Sequence, residues 1–276
     1  MVRSVCGKKN MFFFDGQLIE GDSICLPVND PGFLYGATIF TTLRVYNQSL
    51  EHPLTNWEAH CDRTYNSIKT FGWVMPDWQR IKEEAQYLTN HYPVLRVTVF
   101  PDGKELILGR QLPADLEQKQ RSGIAGKLII NNQNMRSLPL HKTGNYLTPF
   151  LCLNQAKKDG FQEAILTDKN GNFLETTTGN LWAYADECWF TPLLSEGILP
   201  GIARDVIIKN ANFSIKQNVW TADFIAQIEA IAHSNSVIEI VPFHTISTQE
   251  KILNFDPLHP AIQLLKNIFA DFYIDN

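Results

Sequence analysis

Apolar residues along this chain alternate between a strand-like and a helix-like spacing, and each change of period marks an element. Met11-Phe12-Phe13-Phe14 and Gln17-Leu18-Ile19 flank Asp15-Gly16, a strong short-range hairpin signal. Thr38 to Tyr46 is β-branched and aromatic, and so reads as a strand. Thr55-Asn56-Trp57-Glu58 has the Ser/Thr-x-x-Glu form of a capping box. After it, Trp57, Cys61, Tyr65, Ile68 and Phe71 recur at spacings of three and four, which predicts an amphipathic helix ending near Gly72. A second helix is predicted from Pro76 to His91, and Pro93 to Phe100 returns to strand.

Residues 111–124 are polar, with Pro113 and Gly123, and read as a linker. Beyond them the pattern predicts a strand from Gly126 to Ile130, a helix from about Thr143 to Lys158 and a strand from Glu163 to Thr167. A turn at Asp168-Lys169-Asn170-Gly171 follows, then further strands, a helix from about Ile202 and a last one from about Pro260. There is no internal repeat. Strands and helices mix without strict alternation, so the expected fold is α+β or mixed α/β, with two lobes rather than a barrel. The expected division is a smaller N-terminal lobe over 1–115, a linker over 116–124 and a larger C-terminal lobe over 125–276 that carries Lys142.

Composition narrows the class. At 276 residues, 44% hydrophobic and 19% charged, the chain has the make-up of a globular protein with a substantial core. A net charge of -5 leaves no basic surplus to neutralise phosphates, which argues against a nucleic-acid partner. No apolar stretch approaches the roughly 20 residues that span a bilayer, and Met1 to Lys9 does not have the form of a signal peptide. The five cysteines are scattered, with no Cys-x-x-Cys pair, so neither zinc nor a disulfide framework is expected. A reducing cytoplasm is the simplest compartment.

The candidate chemistry lies in two segments, His141-Lys142-Thr143-Gly144-Asn145-Tyr146-Leu147 and Leu174-Glu175-Thr176-Thr177-Thr178-Gly179-Asn180-Leu181-Trp182. On spacing alone, Lys142 reads as a surface lysine at a helix start and Glu175 as a solvated glutamate after a hairpin strand. Together, a lysine amine able to form a Schiff base and a carboxylate able to keep a pyridinium protonated are what pyridoxal phosphate chemistry requires. Arg63, in His60-Cys61-Asp62-Arg63, offers a charged donor fork to phosphate oxygens. In Leu199-Pro200-Gly201-Ile202-Ala203-Arg204 the glycine opens a helix. The backbone N–H groups of Ile202 and Ala203 then face an anion at the positive end of the dipole. His233-Ser234-Asn235-Ser236 adds small polar groups at a strand end, with Ser236 a hydroxyl donor.

These pieces resemble, in order and wording, the class IV aminotransferases, the fold-type IV pyridoxal phosphate enzymes. Lys-x-x-Asn-Tyr-Leu is similar to the family's catalytic lysine segment, and Glu-Thr-Thr-Thr-Gly-Asn-Leu-Trp to its Glu-x-x-x-x-Asn-(Leu/Ile/Val)-(Phe/Trp) stretch. The likeness runs from about Asp15 to Ile246. It implies that Lys142 is the catalytic amine and Glu175 the partner of the pyridine nitrogen. Arg63, Ile202, Ala203, Asn235 and Ser236 would hold the phosphate, with Tyr146 either at the ring hydroxyl or simply packed. The small residues after Glu175 would let backbone approach the face of the ring. The resemblance also implies a homodimer, its site between the two lobes and completed by a loop of the partner chain.

Phe40-Thr41-Thr42-Leu43-Arg44-Val45 separates the members of the family. Branched-chain and D-amino-acid aminotransferases typically carry glutamate after the aromatic that corresponds to Phe40. Threonine here, and Asn235, look more like the 4-amino-4-deoxychorismate lyases of folate biosynthesis. Against that, the Lys-Thr-Gly-Asn-Tyr wording leans to the branched-chain side. The resemblance thus implies the lyase first, an aminotransferase of branched-chain or D-amino acids second, and a non-catalytic pyridoxal phosphate-binding protein as a distant third. Phe40 and Thr41 would then meet the substrate. Arg96 and Arg110 are candidates for its carboxylates, or else a strand-edge charge and a linker residue.

Overall fold

The computed structural model describes residues 10–129 and 137–274; Met1 to Lys9 and Ile130, on which two of the sequence readings rest, lie outside them. The chain clusters into two compact units. Among the described residues, one unit holds 10–112 together with Lys142–Asn145, and the other holds the rest.

The first unit is a five-stranded sheet with helices. β1 (Met11–Phe14) and β2 (Gln17–Glu20) form the expected hairpin. Asp15 and Gly16 turn it with φ of 49° and 76°, the left-handed pair that a tight two-residue turn demands. A short helix α1 (Pro31–Tyr35) precedes β3 (Ile39–Arg44). Then come α2 (Trp57–Phe71), α3 (Trp78–Thr89), β4 (Val94–Val99) and β5 (Glu105–Arg110). The sheet order is β2-β1-β5-β4-β3, all antiparallel. Leu43, Leu95, Val97 and Ile107 from the strands meet Trp57, Ile81, Ala85 and Leu88 from α2 and α3 in its core.

Two local expectations in this unit fail. The capping box does not form, because Thr55 closes a 3₁₀ turn over Pro53–Thr55. Its hydroxyl donates to Ser49 O at 2.9 Å and accepts from Tyr46 N at 3.2 Å. Asn56 then starts α2 in the left-handed region, without a side-chain cap. The buried face of α2 is also more polar than its apolar spacing implies. His60, Thr64 and Ser67 are buried beside Trp57 and Ile68, whereas Tyr65 is 42% exposed. Thr64 and Ser67 tolerate this by returning their hydroxyls to His60 O and Arg63 O, four residues back.

The second unit begins with α4 (Leu116–Ser122), so the segment expected as a linker is largely helical. Leu116 is buried, and Gly123 ends the helix with its N–H on Lys119 O. β6 (Ile124–Ile129) follows, then α5 (Leu147–Lys158), β7 (Glu163–Thr167), β8 (Phe173–Thr176) and β9 (Asn180–Ala185). Next are β10 (Cys188–Pro192), α6 (Ile202–Asn210), β11 (Ile215–Asn218), α7 (Ala222–Ile225) and β12 (Ala230–Asn235). The described chain ends with β13 (Glu239–Ser247), β14 (Ile252–Asn254) and α8 (Pro260–Ile274).

The fold is mixed α/β as expected, but the sheet of this unit closes on itself. The path β9-β12-β13-β6-β7-β8 returns to β9 through the pair Glu175↔Asn180. β10 and β11 extend it from β9, and β14 pairs with β13. The absence of a barrel, expected from the irregular element order, is therefore corrected for this unit. The closure depends on pairings far apart in sequence, which periodicity does not report.

The predicted helix from Thr143 also starts four residues late, at Leu147. Thr143 bridges Ile39, Phe40 N donates to Lys142 O at 2.9 Å, and Gly144 N donates to Thr38 O at 2.6 Å. These groups are committed to β3 and are not available to a first helical turn. Lys142–Asn145 accordingly belongs to the first unit, where the sequence reading had Lys142 in the C-terminal lobe. Among the described residues, no helix is long and apolar enough to cross a membrane.

Candidate active site

In the first unit, Lys142, Phe40, Thr41, Arg63 and Arg96 gather around one end of β3. The pairing of Lys142 O with Phe40 N sets the lysine side chain against the Phe40 ring, with Nζ 4.8 Å from the ring centroid. Arg96, on the neighbouring strand, has its guanidinium carbon 3.6 Å from the same centroid, and its Nε donates to Thr98 Oγ1 at 3.4 Å. Phe40 thus carries two cations on its π system, each contact worth about 0.5–2 kcal/mol.

Thr41 is buried, and its Oγ1 accepts from Arg63 Nη2 at 2.9 Å and lies 2.5 Å from His60 Nδ1. Burial first, then Arg63 and Lys142, push the His60 imidazole well below its ordinary 6.5, so it is neutral at pH 7. With Oγ1 accepting from Arg63, the hydroxyl proton is best used by donation to Nδ1, which leaves the ring's own proton on Nε2. Among the described residues Nε2 has no hydrogen-bond partner. Arg110 is not brought into this group. It lies exposed at the end of β5, paired with Val94.

In the second unit, Glu175 is 2% exposed, and its Oε2 accepts from Leu199 N at 3.3 Å. Asn180 holds the other side of that residue, donating from Nδ2 to Leu199 O at 2.9 Å. The glycine after Pro200 is required here: a Cβ on Gly201 would stand 2.0 Å from Asn180 Oδ1. Gly201 begins α6 with no side-chain cap, so the N–H groups of Ile202 and Ala203 sit in an uncapped first turn at the positive end of the dipole.

Tyr146 donates its hydroxyl to Thr177 O. Gly179 passes so close to β12 that a Cβ would lie 2.2 Å from Ser234 O. Asn235 spends its amide on local structure, with Nδ2 donating to Thr178 O at 3.2 Å and Oδ1 accepting from Val237 N and Ile238 N at 2.9 and 3.1 Å. Ser236 is partly exposed just beyond the end of β12.

Each unit by itself holds groups that suit an anionic, aromatic cofactor: the first an amine and a guanidinium, the second a buried carboxylate, an uncapped helix start and glycines packed too tightly for a Cβ. Among the described residues, no group of three or more His, Cys, Asp or Glu could hold a metal ion. Sequence reasoning passed over three residues. His60 and Asn180 are motif letters whose partners lie 19 residues away in both cases. Glu163 reads as an ordinary strand residue and carried no signal.

A model of the family described as amino-transferase class IV matches residues 38–246. The branched-chain-amino-acid aminotransferase of Escherichia coli (strain K12) is 24% identical over 268 residues, covering 87% of this chain and 85% of that protein. The aminodeoxychorismate lyase of Vibrio harveyi is 24% identical over 251 residues, covering 83% and 90%. The PLP-bound form of a hypothetical aminotransferase from Mycobacterium tuberculosis superposes with a TM-score of 0.77 at 17% identity, covering 94% of this chain and 98% of that one.

Proposed function

The chain belongs to the class IV aminotransferase family, and from that premise we propose that this pyridoxal phosphate enzyme is a lyase that splits 4-amino-4-deoxychorismate into pyruvate and 4-aminobenzoate. One observation carries the choice. Thr41, a neutral buried hydroxyl, accepts from Arg63 where aminotransferases of the family typically carry glutamate. A carboxylate there would draw on the charge of Arg63, which a neutral hydroxyl does not.

When bound, pyridoxal phosphate supplies a protonated ring that spreads the charge of a carbanion. Lys142 provides the amine that holds the cofactor and, once released by the substrate amine, acts as the general base. Its Nζ takes the proton from the amine-bearing ring carbon and holds it while enolpyruvate leaves. The Glu175 carboxylate keeps the proton on the pyridine nitrogen. Arg63, the N–H groups of Ile202 and Ala203, and the Ser236 hydroxyl bind the phosphate, and Asn235 shapes the loop that carries Ser236. Tyr146, whose hydroxyl proton goes to Thr177 O, packs beside the ring. Arg96 and Arg110 receive the substrate carboxylates, with Phe40 and Thr41 as the adjoining wall.

The second reading is an aminotransferase of branched-chain or D-amino acids, in which Lys142 would take the same proton and pass it on with no leaving group to expel. The Lys142–Leu147 wording and the Escherichia coli relative favour it. The proposal includes a cytoplasmic homodimer. Leu147, Phe150 and Leu151 present an apolar face on α5, each more than half exposed, which a second copy would cover.

The test is pyruvate release from freshly made 4-amino-4-deoxychorismate by the purified yellow protein, with Lys142→Ala as control. Release of pyruvate and 4-aminobenzoate, lost in the variant, supports the lyase. No release from a protein whose cofactor is still converted by glutamate or D-alanine makes it an aminotransferase.

A further inference from the structure

Glu163, at the start of β7, is only 4% exposed, yet it takes no part in the chemistry proposed above. Its Oε1 accepts from Thr177 Oγ1, and from Ala164 N at 2.9 Å. Its Oε2 accepts from Thr178 Oγ1 at 2.7 Å. Thr177 N donates to Ala164 O at 3.0 Å. The far side of the same turn is held by Tyr146 on Thr177 O and by Asn235 on Thr178 O. The backbone carbonyls of Thr177 and Thr178 and both of their hydroxyls are therefore committed.

Burying a carboxylate costs far more than burying a neutral side chain. A turn that needed only to be closed could be closed by an amide or a hydroxyl. What the carboxylate adds is two fixed acceptors that grip two consecutive hydroxyls at once. The gripped residues directly follow Glu175 and Thr176 on β8, and they precede Gly179, which packs so close to Ser234 that it has no room for a Cβ.

We infer that Glu163 is a positioning residue: it locks the Thr177-Thr178 turn and thereby fixes the register in which Glu175 meets the cofactor's ring nitrogen. This inference rests on the pyridoxal phosphate reading. It assigns Glu163 no contact with cofactor or substrate.

The experiment titrates apo-protein with pyridoxal phosphate and follows the pH midpoint of the bound cofactor's visible absorbance. Wild type is compared with Glu163→Ala, Glu163→Gln and Thr178→Val, and melting is recorded for each apo-protein. Ile81→Val, in the core of the first unit, controls for loss of stability alone. Glu163→Ala is expected to weaken cofactor binding by about ten-fold and to move the pH midpoint. Glu163→Gln keeps one acceptor but sets a donor against the second hydroxyl, so it should restore only part of both. Thr178→Val should give a smaller shift of the same sign, and these two variants decide the matter if Glu163→Ala does not fold.

Variants that melt lower but keep the wild-type affinity and pH midpoint, as Ile81→Val should, overturn the positioning role. Wild type that binds no pyridoxal phosphate overturns the functional reading itself, and this inference with it.

Discussion

Glu175 and Asn180, the cross-strand pair that closes the C-terminal sheet, also grip Leu199 from both sides. The Glu175 carboxylate accepts its N–H at 3.3 Å, and the Asn180 amide donates to its carbonyl at 2.9 Å. The residues that complete the ring of strands therefore also fix the approach to α6, whose first turn carries the N–H groups of Ile202 and Ala203. The proposed anchor for the ring nitrogen and one proposed anchor for the phosphate are indexed to each other by a single residue.

Removing that grip should be costly. Asn180→Ala strands the Leu199 carbonyl in a buried setting, a loss of about 1–3 kcal/mol, and should weaken cofactor binding along with it. Asn180→Asp sets an acceptor against an acceptor beside Glu175 and should cost more. Melting of the apo-protein and a pyridoxal phosphate titration check both.

Thr41→Val should leave His60 Nδ1 without its 2.5 Å neighbour and take from Arg63 the hydroxyl to which its Nη2 donates. The expected loss is about 1–3 kcal/mol in stability, with weaker phosphate binding. Thr41→Ser keeps the hydroxyl and should stay near wild type. Equal behaviour of the two variants in a cofactor titration would show that the hydroxyl has no role.

Gly144→Ala tests how Lys142 is held. The new Cβ would stand 2.0 Å from Thr38 Oγ1 and 3.0 Å from Gly36 O, so the Thr38 side chain or the pairing of this segment must shift. Turnover should fall at least about ten-fold. Thr38→Ala in the same chain removes the closer contact and should recover part of the loss. Steady-state rates of the single and double variants measure this.

Glu84 gives a pH signature unconnected with catalysis. Burial first, then Glu105, raises its carboxyl from the ordinary 4.5 to about 7, against the pull of Arg80, with Asp15 and Asp77 adding to the rise. Between those values the folded protein keeps a proton that the unfolded chain has released. This contribution to stability is therefore complete below pH 4.5 and disappears as pH rises through about 7. Glu84→Gln removes that dependence. Relative to wild type it should gain about 1–3 kcal/mol on going from below pH 4.5 to above pH 7. His60 and His233, held neutral by burial, lose stability in the opposite direction as pH falls below 6.5, but equally in both proteins. Denaturant unfolding at the two pH extremes gives the difference.

Much of the fold could be read from local chemistry. The Asp15-Gly16 hairpin, α2 up to its Gly72 cap and the Gly201 start of α6 all rest on interactions within a few residues of one another. The misreadings arose where a distant partner outbid the local one. Thr55 looked like an N-cap, but its hydroxyl went to Ser49 and Tyr46. Thr143 to Asn145 looked like the first turn of a helix, but its backbone went to β3.

The same division holds for the candidate site. The sequence by itself determined the family and the inventory: a lysine, an arginine, a glutamate and a glycine-led helix start, in an order specific enough to identify a cofactor class. Only the tertiary structure decided how those groups are held. It placed Lys142 on the Phe40 ring and Thr41 between His60 and Arg63. It placed Glu175 on the Leu199 amide and Glu163 beneath two threonines. Each of these contacts joins residues brought together by strand pairing and burial. A residue's type advertises the bonds it can make, but the cost of leaving a buried polar group unpaired, paid in three dimensions, selects the partner.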